Sequence, residues 1–377
     1  MASEVLKKGG EVASEVPGEA SGFDFEGMRF GVKAWRASAS DAREGGAPSV
    51  PIVFVHGFAQ QASTWDDVAQ LLTDAGARCF GFELAGHGVG ACSAGDGPAE
   101  RSGFFDLRFQ ARALLAFCGA VACDAGAAPV LVGYSMGGRV ALQAACLVAG
   151  DLRGGGKFDR ISLRSSAAFA PCGRTGRLDM AESGQRDTAA TPVGDAARML
   201  AAAPFSALVL ESAGLGPVDD AAREVLHERN FAWAARVRGE GVSAFMDWWA
   251  GLPLFESQRN LTNDQRERLR AGRLANDAES LALSFERAGA HVMPPKQETI
   301  RALCELSRRG IPVSYLAGEL DAKYCKVLAD LRAKSQGAIS CRIVPAAGHN
   351  IHLEQPRAFG AILEEVVESC TPKPAAL

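Results

Sequence analysis

Ser135 has a glycine two residues before it and another two residues after, in Gly133-Tyr134-Ser135-Met136-Gly137. A hydroxyl oxygen is a weak nucleophile or base until an imidazole takes its proton, and the imidazole works best when a carboxylate holds its tautomer. Both partners follow in the chain. Asp321 closes Gly318-Glu319-Leu320-Asp321, and His349 stands in Ala347-Gly348-His349-Asn350. The oxygen so primed would also need donors for the charge it creates. The turn Val55-His56-Gly57-Phe58 offers the Phe58 N–H, which with that of Met136 would make a two-donor oxyanion hole. Tyr134 and His56 flank that hole and would support or shape it.

These side chains converge only if the elements around them do. Ala128 to Val132 reads as a short apolar strand and Arg139 to Ala149 as a helix, so Ser135 lies on a strand-to-helix turn. The turn is tight enough that side chains at the two glycines would clash, which pushes the serine oxygen out over the sheet edge. Residues 311–316 and 339–344 read as strands that end just before Asp321 and His349, and residues 51–55 as the strand before Phe58. Ser, Asp and His in that order, each beyond the carboxyl end of a strand, is the order of an α/β-hydrolase triad. Further strands are expected over residues 28–37, 78–84 and 206–211, and a helix over 101–123. The fold class is therefore α/β, a mostly parallel central sheet flanked by helices.

Two stretches interrupt the alternation. Residues 151–203 carry Gly154-Gly155-Gly156 and much Ala, Ser and Thr with weak periodicity, and read as a surface insertion. Residues 216–306 are helix-rich, lack strand signals and contain Trp233, Trp248 and Trp249; they read as a helical cap inserted before the strand that leads to Asp321. The remaining boundaries are a disordered leader over 1–22 and a core over 23–215 and 307–377.

Bulk properties exclude several classes. The 377 residues carry a net charge of −4, so no basic footprint for nucleic acid is present, and no apolar run is long enough to span a membrane. Ten cysteines are scattered without CxxC spacing, several within apolar patterns where they pack as small hydrophobes. A reducing cytoplasm is the expected location and a monomer the expected state.

Several strings resemble 2-succinyl-6-hydroxy-2,4-cyclohexadiene-1-carboxylate (SHCHC) synthase, an α/β-hydrolase-fold lyase of menaquinone biosynthesis. They are Val55 to Phe58, Gly133 to Arg139, Glu211-Ser212, Asp247-Trp248-Trp249 with Pro253-Leu254-Phe255, Gln265-Arg266 with Leu269, Ala271 and Arg273, Gly318 to Lys323, and Ala347 to Asn350. The resemblance covers roughly residues 50–150 and 205–368. It implies a substrate with three carboxylates, loss of a proton, expulsion of pyruvate, and no cofactor or metal. Arg139, one helical turn beyond Ser135, and Arg273, on an expected helix over 263–275, are implied as carboxylate clamps, a role that suits paired guanidinium donors. Trp248 is implied as an apolar wall; a further cap arginine of the relatives falls on Leu226 here, with Arg223 and Arg229 one turn either side, and Arg229 is assigned to it. Ala213 to Gly216 replaces the His-Pro-Gly-Leu of typical members. A serine hydrolase (an esterase or carbon–carbon bond hydrolase) would share the triad but not the buried cations. A ligand-binding protein on the same scaffold would lack a triad member.

Overall fold

The computed structural model describes residues 21–36, 50–88, 102–153 and 204–371. The segment 154–203, the acidic stretch up to residue 20 and most of the expected insertion therefore lie outside the described residues.

Among the described residues eight strands form one sheet, in the order β1-β2-β4-β3-β5-β6-β7-β8. β1 (Ser21–Phe25) and β2 (Met28–Ala34) make an antiparallel hairpin, and β2 runs antiparallel to β4 (Cys79–Phe82). From β4 onward the pairing is parallel, through β3 (Ile52–Val55), β5 (Val130–Tyr134), β6 (Ala207–Glu211), β7 (Val313–Gly318) and β8 (Ser340–Val344). β3 to β6 are buried along their whole length, which is why they read as continuous Val, Ile, Leu and Phe runs rather than alternating ones. β1 was not expected. Its alternation is carried by only two side chains, Phe23 and Phe25, both buried against the sheet.

Helices cover both faces. α1 (Asp66–Asp74) and α9 (Pro356–Cys370) pack together on one, over Phe54, Val132 and Val209. α2 (Leu107–Ala125) and α3 (Met136–Arg153) occupy the other, over Val53, Leu131 and Leu208. Asp106 starts α2 by accepting the N–H groups of Arg108 and Phe109, and Gly126 ends it in the left-handed region. β3 feeds a helix on one face and β5 a helix on the other, so a crevice opens between their carboxyl ends, where α/β sheets bind ligands.

Between β6 and β7 the chain adds α4 (Asp220–Ala250, broken at Gly241), a 3₁₀ turn (Pro253–Asn260), α5 (Asn263–Leu274), α6 (Ala278–Ala288) and α7 (Lys296–Arg308). α4 and α6 pack on each other around a small core of their own, Phe245, Trp249, Leu281 and Phe285, which also touches Ala59 and Phe58 beyond β3. α5 begins with a capping box: Thr262 Oγ1 accepts the Gln265 N–H, and Gln265 Oε1 accepts the Thr262 N–H. α7 is different, lying against α3 over the sheet.

The loop after β4 holds a fully buried histidine. His87 hydrogen-bonds the Ala85 carbonyl through Nδ1 at 2.9 Å, and burial, helped by the nearby His56, depresses its pKa from 6.5 to about 3. The unfolded chain therefore binds an extra proton between those values, so stability falls as pH drops below 6.5. From pH 7 to pH 5 this one group should cost about 2 kcal/mol. Urea melts at the two pH values should show that loss in the wild type and a loss smaller by this amount in His87→Gln. Equal losses in both would place the acid sensitivity elsewhere.

Candidate active site

Ser135 sits between the last residue of β5 and the first of α3 with φ at 49°, a left-handed conformation that costs an L-residue energy and projects its side chain outward. The glycines on either side make the turn feasible. A Cβ at Gly133 would lie 2.8 Å from Gly138 Cα, and one at Gly137 would lie 2.5 Å from the His56 carbonyl oxygen. The Ser135 N–H donates to the Glu211 carbonyl at 2.9 Å, fixing the turn against β6.

His349 Nε2 lies 3.2 Å from Ser135 Oγ, and His349 Nδ1 lies 2.7 Å from Asp321 Oδ2. Asp321 is shared between two duties, since its Oδ1 accepts the Tyr324 N–H and caps α8 (Ala322–Ser335). That second bond fixes the carboxylate for the first. Burial lowers the His349 pKa, while the hydrogen bond and charge of Asp321 oppose the shift. The imidazole is thus neutral and able to take the serine proton. Met136 opens α3, so its N–H has no partner within the helix. Phe58 lines the same cavity.

A cavity of about 290 Å³ spans Ser135 and His349 below and α4 to α6 above. Arg139, Arg229 and Arg273 all line it. Arg139 donates Nε–H to the Ala288 carbonyl at 3.2 Å, and Arg273, 6% exposed, donates to Gln258 Oε1 at 3.2 Å and lies over the Phe255 ring. Burial depresses both guanidinium pKa values from 12.5 to about 10 and lowers that of Arg229. Among the described residues, Tyr324 and Tyr134 counter burial and no carboxylate does so. Both arginines therefore stay charged at neutral pH, in a chamber whose lining among the described residues includes no carboxylate. Lys323 and Lys296, not singled out from the sequence, reach the same cavity, although Lys296 is paired with Asp330 at 2.5 Å.

Two expected contacts fall elsewhere. Trp248 does not line the cavity; half-buried, it takes the Arg236 guanidinium on its ring, and Trp249 and Trp233 form the apolar wall instead. One helical residue is a rotation of about 100°, enough to exchange the two faces. His56 is fully buried away from the cavity. Its Nδ1 bonds the Gly57 carbonyl at 2.8 Å and its Nε2 accepts the Leu84 N–H at 3.0 Å, so it braces the turn from beneath. That second bond uses the lone pair of Nε2, which leaves the Glu83 carboxylate, 3.0 Å away, as a neighbour rather than a proton acceptor. Tyr134 lines the cavity floor, with its ring between those of His349 and His352.

Sequence matches agree with this architecture. Residues 52–362 match the model of the Alpha/beta hydrolase family, and the chain belongs to that family. Among individual proteins, it is 29% identical over 323 residues to the 2-succinyl-6-hydroxy-2,4-cyclohexadiene-1-carboxylate synthase of Escherichia fergusonii, covering 85% of this chain and 96% of that one. A Bacillus subtilis (strain 168) protein provisionally given the same name is 35% identical over 166 residues; the match spans 44% of this chain and only 57% of that relative's length. Solved structures of similar fold include MenH from S. aureus, with a TM-score of 0.62, 21% identity and coverage of 90% of this chain and 98% of that one. A thermophilic esterase from Thermogutta terrifontis has a TM-score of 0.61 and 19% identity, covering 94% of this chain and all of the other.

Proposed function

We propose that this protein is a lyase of menaquinone biosynthesis that eliminates pyruvate from 2-succinyl-5-enolpyruvyl-6-hydroxy-3-cyclohexene-1-carboxylate, giving 2-succinyl-6-hydroxy-2,4-cyclohexadiene-1-carboxylate. The observation that carries the reading is the pair of desolvated arginines, 139 and 273, which have no carboxylate partner among the described residues and share a cavity with Ser135 and His349. Burying cations without partners is costly unless a ligand supplies the negative charge. A substrate with three carboxylates does so.

In this reading Ser135, His349 and Asp321 act as a base rather than as an acylating group. His349 takes the serine proton, and the serine oxygen takes the ring proton alpha to the succinyl carbonyl. The C–H electrons move onto that carbonyl oxygen, where the N–H groups of Phe58 and Met136 meet the charge. Those electrons then return through the ring double bond and break the bond to the enolpyruvyl oxygen. The departing enolate takes back one proton and becomes pyruvate, so no cofactor or redox partner is needed. Arg139, Arg273 and Arg229 hold the carboxylates, Trp249 and Trp233 give the ring an apolar wall, and Tyr134 shapes the floor. Helices α4 to α6 serve as the cap; α7, though within 216–306, belongs with the core because it packs on α3. Cysteines free of disulfides among the described residues support a cytoplasmic location.

The test is an assay of pyruvate release from the enolpyruvyl substrate, with a panel of simple esters alongside. Release with slow ester cleavage is expected. Rapid ester cleavage without pyruvate would assign the chain to the serine hydrolases of the same family.

A further inference from the structure

The imidazole that must prime Ser135 rides on a loop, residues 345–350, whose backbone is strained at Ala346, with φ at 54°. The loop is held from two sides. On one, Glu319 Oε2 accepts the Ala346 N–H at 3.0 Å, and the Leu320 N–H meets the Ala347 carbonyl at 2.8 Å. On the other, a single carboxylate takes three donors. Glu354 Oε2 accepts the Gly348 N–H at 2.7 Å, while Oε1 accepts the Asn350 N–H at 3.3 Å and the Ser257 hydroxyl at 3.1 Å.

The two amides belong to the residues immediately before and after His349. Ser257 comes from the 3₁₀ turn Pro253–Asn260, part of the inserted helices, and the same turn sets Phe255 edge-on against the His349 ring, 5.7 Å between centroids. There is no slack at this junction. A Cβ built at Gly348 would strike Ser257 Oγ and come within 3.1 Å of Glu354 Oε1.

We propose that Glu354 is a positioning residue, one that fixes the loop carrying His349 and, through Ser257, ties the seating of the inserted helices to the orientation of the imidazole. The inference rests on the reading of Ser135 and His349 given above, but not on the identity of the substrate. Glutamine cannot replace the carboxylate silently. It has one oxygen, and its amide would turn donors toward a backbone N–H, so one of the two amides beside His349 loses its acceptor.

The experiment uses the full chain and a small fluorophosphonate that phosphonylates a primed serine, so the proposed substrate is not required. The rate constant of labelling reports how well His349 primes Ser135, whereas the labelled amplitude reports the fraction folded. Glu354→Gln is expected to slow the rate constant roughly 10- to 100-fold, the span of one charge-assisted hydrogen bond, with amplitude retained. Ser257→Ala, which leaves both amide bonds intact, is expected to slow it about threefold, as for a single weak hydrogen bond, with no change in melting temperature. Wild-type rate constants in both variants, or a loss confined to amplitude, would overturn the proposal while leaving the primed serine standing. If Glu354→Gln does not fold, Ser257→Ala decides, and a wild-type rate there overturns the coupling. An unreactive wild type would overturn the primed serine itself, and this inference with it.

Discussion

Ser135→Ala is expected to lower pyruvate release by about a thousandfold or more while leaving substrate affinity close to wild type. The substitution removes the oxygen that His349 Nε2 meets in the cavity and leaves Arg139 and Arg273 untouched. The residual rate, from the oxyanion donors and binding alone, should remain above the uncatalysed one, as when any triad member is deleted. Asp321→Asn should cost a comparable factor for a different reason. Its amide can donate to Nδ1, which would put the imidazole proton on Nε2, where the lone pair is needed. The pH dependence separates the two variants. His349 must be neutral to act, and its pKa is already lowered by burial, so the rising limb of kcat/KM in the wild type should lie below the ordinary histidine value of 6.5. Asp321 opposes that lowering, so Asp321→Asn should move the limb further toward acid. A limb at or above 6.5 in the wild type, or a fully active Ser135→Ala, would remove these residues from the chemistry.

How far this site could be read from the chain depends on the range of the forces involved. The elbow was legible because its glycines answer a local clash, with Gly138 Cα and the His56 carbonyl, that any such turn must meet. Asp321 and His349 were legible because each follows a strand-like run, 311–316 and 339–344, even though Ser340 and Arg342 leave the second of these mostly exposed, and register does the rest. The parallel sheet was legible for the same reason. Side-chain direction on the inserted helices was not. α4 is interrupted at Gly241, where φ is 78° and ψ 165°, so the helical phase before the break says nothing about the phase after it. Trp248 and Trp249 lie beyond that break, and their exchange follows. His56 and Glu354 fail the eye for another reason: what each does is set by partners far away in sequence, Leu84 for one and Ser257 for the other. The hairpin strand β1 was hidden because Phe23 and Phe25 are its only apolar side chains, beside Ser21, Gly22 and Asp24. Of the expected insertion at 151–203, residues 151–153 end α3, and residues 154–203 lie outside the described residues and take no part in this account.

Arg139→Ala and Arg273→Ala should each lower kcat/KM for the tricarboxylate by roughly 30- to 5,000-fold, the 2–5 kcal/mol lost when one partner of a desolvated charge pair is deleted. A neutral short ester, which offers these cations nothing, should change only a few-fold. The two substitutions should not add, because each leaves the same anionic ring less well held for the other clamp. Lysine at either position should restore part of the loss, supplying the charge but not the paired donors of the guanidinium. Stability should move the opposite way. Arg273 is buried with its Nε atom unpartnered, and among the described residues no carboxylate counters its burial, so its charge is costly until an anion binds. Arg273→Met, which fills similar space without charge, should therefore unfold at an equal or higher urea concentration than the wild type while losing activity. A site built for an anion is stabilised by removing its cation; a structural arginine is not. Should Arg273→Met unfold more easily and still release pyruvate at the wild-type rate, the guanidinium belongs to the scaffold of the inserted helices, and the chamber was not shaped around a carboxylate.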